Sequence, residues 1–378
     1  MNYNTIWDYY DYRHWIEDGC HVNNKVIKLN LHGSRFKLTE LSEHIGNLIN
    51  LQELNCSSND LRILPETLGN LINLRELHCS FNKLIKLPIT LGNLINLQIL
   101  SCAYNKLKKL PKTINNLINL QKLNCHNNNI TKLPSNLSNL INLQRLTCQN
   151  NKLNGLPKNL GNLVNLQVLD CYSNKLKILP KTLSNLINLQ ELNCSYNDIT
   201  NLPKSIGNLI NLRSLYCYNN KLKKLPESLY NLINLHVLVC SDNKLTILLE
   251  NLYKLINLHR LICSNNKLKT LPNSIIKLKH LIYVKHDKNI KLSKIQQRFI
   301  KNINAFDVHN THIHISLLDS VNNLLSETPT KQISIMDDDI LDIKTKSILY
   351  NFIENKIVSD LLVTFEELLV YILQKIDN

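Results

Sequence analysis

The stretch LQELNCSSNDLRILPETLGNLIN, Leu51 to Asn73, decides how the chain is read, because LRELHCSFNKLIKLPITLGNLIN, Leu74 to Asn96, repeats it at once. The same 23-residue phrase returns until His280, in ten full units starting at Leu51, Leu74, Leu97, Leu120, Leu143, Leu166, Leu189, Leu212, Leu235 and Leu258. Length in this 378-residue chain therefore counts repeats, not domains. A degenerate unit spans 26–50, and a decaying one begins at Leu281.

Within LQELNC, Leu54 and Cys56 are two residues apart and point to the same side of a short strand, leaving Gln52, Glu53 and Asn55 for the other face. Leu61 and Leu64 return the chain to the core, and Pro65 stops further ladder pairing. The LGNLIN segment, Leu68 to Asn73, is too short for a long helix and predicts a turn or two of α or 3₁₀ structure.

The template LxxLxCxxNxLxxLPxxLGNLIN resembles the leucine-rich repeat family in its 23-residue, LP-containing intracellular form. The resemblance implies an α/β solenoid: a curved horseshoe with short parallel strands on the concave face and helical or 3₁₀ turns on the convex face. At about 4.8 Å per strand, ten units give an inner face on the order of 50 Å long. It also implies that the ninth-position asparagines, Asn59, Asn82, Asn105, Asn128, Asn151, Asn174, Asn197, Asn220, Asn243 and Asn266, turn inward and bond the backbone leaving the strand. An amide, which both donates and accepts, suits a buried turn. The Asn, Ile and Lys bias and the near-identical LGNLINL units are similar to leucine-rich repeat proteins of giant amoeba-infecting viruses.

Cys56, Cys79, Cys102, Cys125, Cys148, Cys171, Cys194, Cys217, Cys240 and Cys263 all occupy the sixth position, which makes them an inward structural column. Free cysteine behaves there as a small buried hydrophobe. In-register side chains lack the crossed geometry of a disulfide, and a column does not converge four ligands on one zinc ion. The N-terminus has acids and aromatics where a secretory signal needs a basic start and an apolar run, so the expected home is the cytoplasm, where thiols stay reduced. No stretch approaches the roughly 18 apolar residues of a membrane span.

No enzyme activity, cofactor or metal is expected. GxxxxGK[ST], GxGxxG and GxSxG are absent, and only eight glycines occur, none after Gly207. His309, His312 and His314 could chelate a metal if extended, or simply belong to a linker. Cys20, the one cysteine outside the column, is the only candidate for an exposed thiol nucleophile.

Positions that stay fixed between units build the core, and positions that vary are free to carry specificity. Tyr172, Tyr196, Tyr216 and Tyr218 fall on variable positions of units six to eight, and tyrosine offers broad contact area with few rotors. They anchor a partner, or each ring packs on its neighbour. Val237, Val239 and Ile262 read as exposed aliphatics that a partner or the chain's own C-terminal segment covers. The net charge of +15 is concentrated: +18 over 51–280, −1 over 1–50 and −2 over 281–378. Lys106, Lys108, Lys109, Lys221, Lys223 and Lys224 exemplify a basic edge, which serves solubility or attracts nucleic acid, acidic protein or anionic lipid.

The expected organisation is an N-terminal cap over 1–25, the degenerate repeat over 26–50, ten repeats over 51–280, a transition over 281–309 and a helical C-terminal cap or small domain over 310–378. Residues 294–304 and 310–326 have helical spacing. The leading functional expectation is a monomeric, non-enzymatic scaffold that holds a host or self protein on its concave face. Alternatives are an electrostatic nucleic-acid or anionic-surface binder, and an adaptor recruiting signalling or ubiquitin machinery through its C-terminal helices.

Overall fold

Each unit contributes a strand of only three residues centred on the inward leucine at the fourth position, and the sixth-position cysteine follows it into the core before the chain turns at the ninth. In the strand Glu53–Asn55, Leu54 is fully buried while its two neighbours are half-exposed. The computed structural model describes residues 5–33 and 37–304. Over them run β1 (Ile6–Trp7), α1 (Tyr9–Glu17), β2 (Lys28–Asn30), β3 (Glu53–Asn55), one strand per repeat to β12 (Arg260–Ile262), β13 (Tyr283–Lys285) and α2 (Lys294–Asn304). All thirteen strands lie in chain order in one parallel sheet. Successive repeats pair in strict 23-residue register, Leu54 facing Leu77 and Leu77 facing Leu100. This is the α/β leucine-rich-repeat solenoid that the sequence implied, with the sheet as its concave face.

The helical turn sits earlier than LGNLIN suggested. In the first full repeat it is a 3₁₀ turn over Glu66–Asn70 that begins immediately after Pro65 and closes with the Leu71 N–H donating to Leu68 O at 3.1 Å. Pro65, at φ −66°, has no N–H to leave unpaired at this entry. Successive turns stack so tightly that a Cβ on Gly161 would lie 2.0 Å from Thr182 O. That clash explains why the glycine is needed there.

Where one repeat departs from the template, a neighbour compensates. Leu249 stands where most units have proline and so carries an N–H. Tyr230, buried at a position that is glycine in other units, accepts that N–H on its hydroxyl. Two changes in adjacent repeats thus satisfy each other.

A helix packs against the sheet at each end of the described solenoid. Asp8 caps α1 with a reciprocal capping box to Asp11, and α1 presents Tyr12 and Trp15 to the core alongside Trp7. The Tyr12 hydroxyl accepts the Ser42 N–H, and the Trp15 indole donates to His21 O. At the other end Ser293 and Gln296 form a second capping box at the start of α2. Asn304, on its last turn, both donates to Val284 O and accepts the Val284 N–H, taking the place of a further strand at the edge of β13. The helices expected over 310–378, and His309, His312 and His314, lie outside the described residues.

Candidate functional site: the edge of the concave face

The frame of the site is a repeated turn. Asn151 donates to Cys125 O at 3.0 Å and Cys148 O at 3.1 Å, and its Oδ1 accepts the Ile130 N–H at 2.9 Å. The same bonds recur from Asn59 to Asn266. Beneath them the ten sixth-position cysteines are fully buried and free. Loss of water pushes the Cys56, Cys125, Cys194 and Cys240 thiols up to about 12, and the other column thiols also rise well above their ordinary value. Neutral thiols of this kind fill space and do no nucleophilic chemistry. Cys20 is buried as well.

Just before each ninth-position asparagine the backbone turns left-handed. The eighth residue has φ between +50° and +59° in all ten repeats, from Ser58 to Asn265. Asparagine, aspartate and serine tolerate this region, whereas a bulky side chain there costs on the order of 1 kcal/mol or more. Yet Phe81, Tyr104 and Tyr196 occupy it. These residues are 53%, 44% and 45% exposed, so core packing does not explain them.

Tyr196 belongs to a triangle of rings. Its centroid lies 5.1 Å from Tyr172 and 5.4 Å from Tyr218, which are themselves 6.4 Å apart. The three come from three successive repeats and are tilted or edge-on to one another. Tyr216 stands apart in role, at the fifth repeat position and the end of the strand Ser214–Tyr216. Beside the triangle, Asp170 ends the strand Val168–Asp170 and accepts the Tyr172 N–H at 3.0 Å. Loss of water pushes its carboxyl up to about 6, opposed by that hydrogen bond; the Glu191 charge adds to the rise and Arg145 opposes it. Ser195, fully buried between Tyr172 and Tyr218 in the seventh-position column, has a hydroxyl with no hydrogen-bond partner among the described residues. The Gln149 Oε1, in the seventh position one repeat before Tyr172, is likewise buried and unpartnered.

A second aromatic group was not singled out in the sequence. Phe81 and Tyr104 stack at 4.2 Å with planes 10° apart, and His126 meets Tyr104 edge-on at 5.0 Å. The available signal was positional: Phe81 and Tyr104 share the eighth position with Tyr196.

Val237 and Val239 are not exposed, contrary to the sequence reading. They are 4% and 6% accessible, and theirs is the one repeat strand with all three residues buried. Val237 is flanked in register by Ser214 and Arg260, and Val239 by Tyr216 and Ile262. Larger side chains therefore adjoin Val239 on both sides and Val237 on the Arg260 side. Ile262 is half-buried. The basic edge is exposed at Lys106, Lys108, Lys109, Lys221, Lys223 and Lys224. It is partly neutralised from within: Lys221 pairs with Asp198 at 2.6 Å and Lys83 with Asp60 at 2.9 Å, and each lysine holds its carboxyl below the ordinary range. Among the described residues no group of three or more His, Cys, Asp or Glu is placed to hold a metal ion, and no helix is long and apolar enough to cross a membrane.

Comparison with known proteins places this architecture. A leucine-rich repeat protein of Leptospira interrogans is 33% identical in sequence, with 74% of this chain and 82% of that one covered and a TM-score of 0.55. The chain belongs to the leucine-rich repeat family. Family models described as "Leucine-rich repeat region", "Leucine Rich repeats (2 copies)" and "Leucine Rich Repeat" match residues 89–199, 187–231 and 50–71 of this leucine-rich repeat protein. The functional domain of InlJ from Listeria monocytogenes, which includes a cysteine ladder, is 29% identical over 68% of this chain and 57% of that one, with a TM-score of 0.56. The structure of the Toll–Spatzle complex of Drosophila contains a chain 26% identical over 72% of this chain and 38% of that one, with a TM-score of 0.62. No curated protein sequence matches it.

Proposed function

We propose that this leucine-rich repeat protein is a non-enzymatic scaffold that holds a protein partner on its concave face, with Tyr172, Tyr196 and Tyr218 as the anchor. The observation that carries the reading is Tyr196: an exposed aromatic on a left-handed backbone, at a position where four other repeats place asparagine, gathered with two further tyrosines. A local rule broken at an exposed position, with no burial in the core to offset it, marks a position kept for binding. Protein binding also fits the resemblance to the Toll–Spatzle structure, itself a complex.

The finer reading places the chain in the cytoplasm as a monomer of the 23-residue intracellular type, in an amoeba-infecting virus. The helices Tyr9–Glu17 and Lys294–Asn304 then cap the array at its two described ends. Lys106, Lys108, Lys109, Lys223 and Lys224 serve solubility.

The test is capture from nuclease-treated amoebal lysate at physiological salt, comparing wild type, a Y172A/Y196A/Y218A variant and a variant with those five lysines replaced by glutamine. The scaffold reading expects one protein captured by wild type and by the lysine variant and lost with the tyrosines. Capture that follows the lysines and vanishes with added salt would favour the electrostatic alternative.

A further inference from the structure

Six residues of the tyrosine cluster have a chemical imbalance that specifies what they bind. Asp170 brings a carboxylate, Gln149 a buried carbonyl oxygen without a donor, and Ser195 a buried hydroxyl without a partner. Around them stand the π faces of Tyr172, Tyr196 and Tyr218, electron-rich surfaces that attract cations. The fifth-position column isolates the acid. Its neighbours on the adjoining strands are Thr147 and Asn193, and Asn55, His78, Ser101 and Asn124 continue it, so Asp170 is the one carboxylate in that column. The Glu191 charge raises its pKa and the Arg145 charge lowers it. The overall charge of +15 does not decide the matter, since the lysine edge is screened over a Debye length of about 8 Å.

We propose that this cluster is an arginine-binding site, in which a partner's guanidinium stacks on the tyrosine rings and donates to the Asp170 carboxylate. Arginine fits better than lysine: its planar fork can donate to several acceptors at once, it stacks flat on aromatic rings, and it is more easily stripped of water. The chain itself shows the stacking, with Arg260 lying 5.0 Å over the Tyr283 ring. Exposed Tyr196 offers the accessible ring face, beside the Asp170 carboxylate.

The inference rests on the scaffold reading, and one selection separates the two. Phage-displayed random nonapeptides are panned against the full-length wild type, D170N and Y172A/Y196A/Y218A, each variant first shown to keep the wild-type circular dichroism. The expected result is a wild-type selection enriched in arginine at one position. Changing that arginine to lysine or norleucine, or Asp170 to Asn, weakens binding about tenfold or more, as loss of a charge-assisted bond predicts. Peptides that need the tyrosines but show no arginine preference would overturn the arginine site and leave the scaffold standing. Peptides that bind wild type and the tyrosine variant equally would overturn both.

Discussion

The Tyr230 hydroxyl accepts the backbone N–H of Leu249 at 3.2 Å, and neither residue is what the repeat template calls for. The pair shows how a repeat array absorbs a lost proline: the N–H that proline would have lacked is given a partner from the preceding unit. Y230F should therefore destabilise the array by about 1 kcal/mol, the net worth of a partly buried hydrogen bond. Adding L249P to Y230F should recover stability, because the orphaned donor is then gone. Urea midpoints of the two single variants and the double variant check this. Additive losses in the double variant would contradict the pairing.

The asparagine turn should be far less forgiving. N151L removes donors to Cys125 O and Cys148 O and the acceptor for Ile130 N–H, leaving buried backbone groups unpaired. A loss of 2 kcal/mol or more is expected, read as a fall in thermal midpoint. K152Q, one residue away on the exposed edge, should change it little. C148D should be at least as damaging as N151L, since it places a carboxyl in the fully buried column.

Much of this frame was legible in the sequence because a repeat is its own alignment. Fixed Leu, Cys and Asn positions showed which side chains face inward, and the thirteen-stranded parallel order follows from stacking identical units. What escaped depends on neighbours in three dimensions. Val237 and Val239 look exposed in a one-dimensional pattern but are buried in the sheet, where Arg260, Tyr216 and Ile262 adjoin them in register. The Phe81–Tyr104 stack needs the left-handed backbone at both residues to bring two rings 4.2 Å apart. Asp170 reads as one acid among many until its loss of water and its tyrosine neighbours are seen together.

The column cysteines should be silent in the folded protein. Their thiols stay protonated well above pH 8, so none of the ten should react with a thiol reagent at pH 8 without denaturant. In guanidinium all eleven cysteines of the chain should react. Rapid labelling of several thiols in the native state would contradict the buried column.

Asp170 should make the protein less stable as pH rises. Its folded carboxyl titrates at about 6, above the ordinary 3.8, so between these values the folded state holds a proton that the unfolded chain has released. Stability from this group is thus lost as pH climbs from about 4 to about 6 and is level beyond, on the order of 3 kcal/mol at most. D170N should melt higher than wild type at pH 7, and the difference should vanish near pH 3.5. A D170N protein less stable than wild type at pH 7 would mean that the carboxylate supports the fold. The predicted sign is that of a residue kept for binding at the expense of stability.

The most direct measurement of the central claim is site-specific photocrosslinking in amoebal cells. A photoreactive phenylalanine replaces either Tyr196 on the concave edge or Ile118 on the convex side, where the native isoleucine is 54% exposed. The scaffold account predicts one discrete protein adduct from position 196, abolished by Y172A/Y218A, and none from position 118. Adducts from position 118 alone, or a position-196 adduct indifferent to the neighbouring tyrosines, would contradict it.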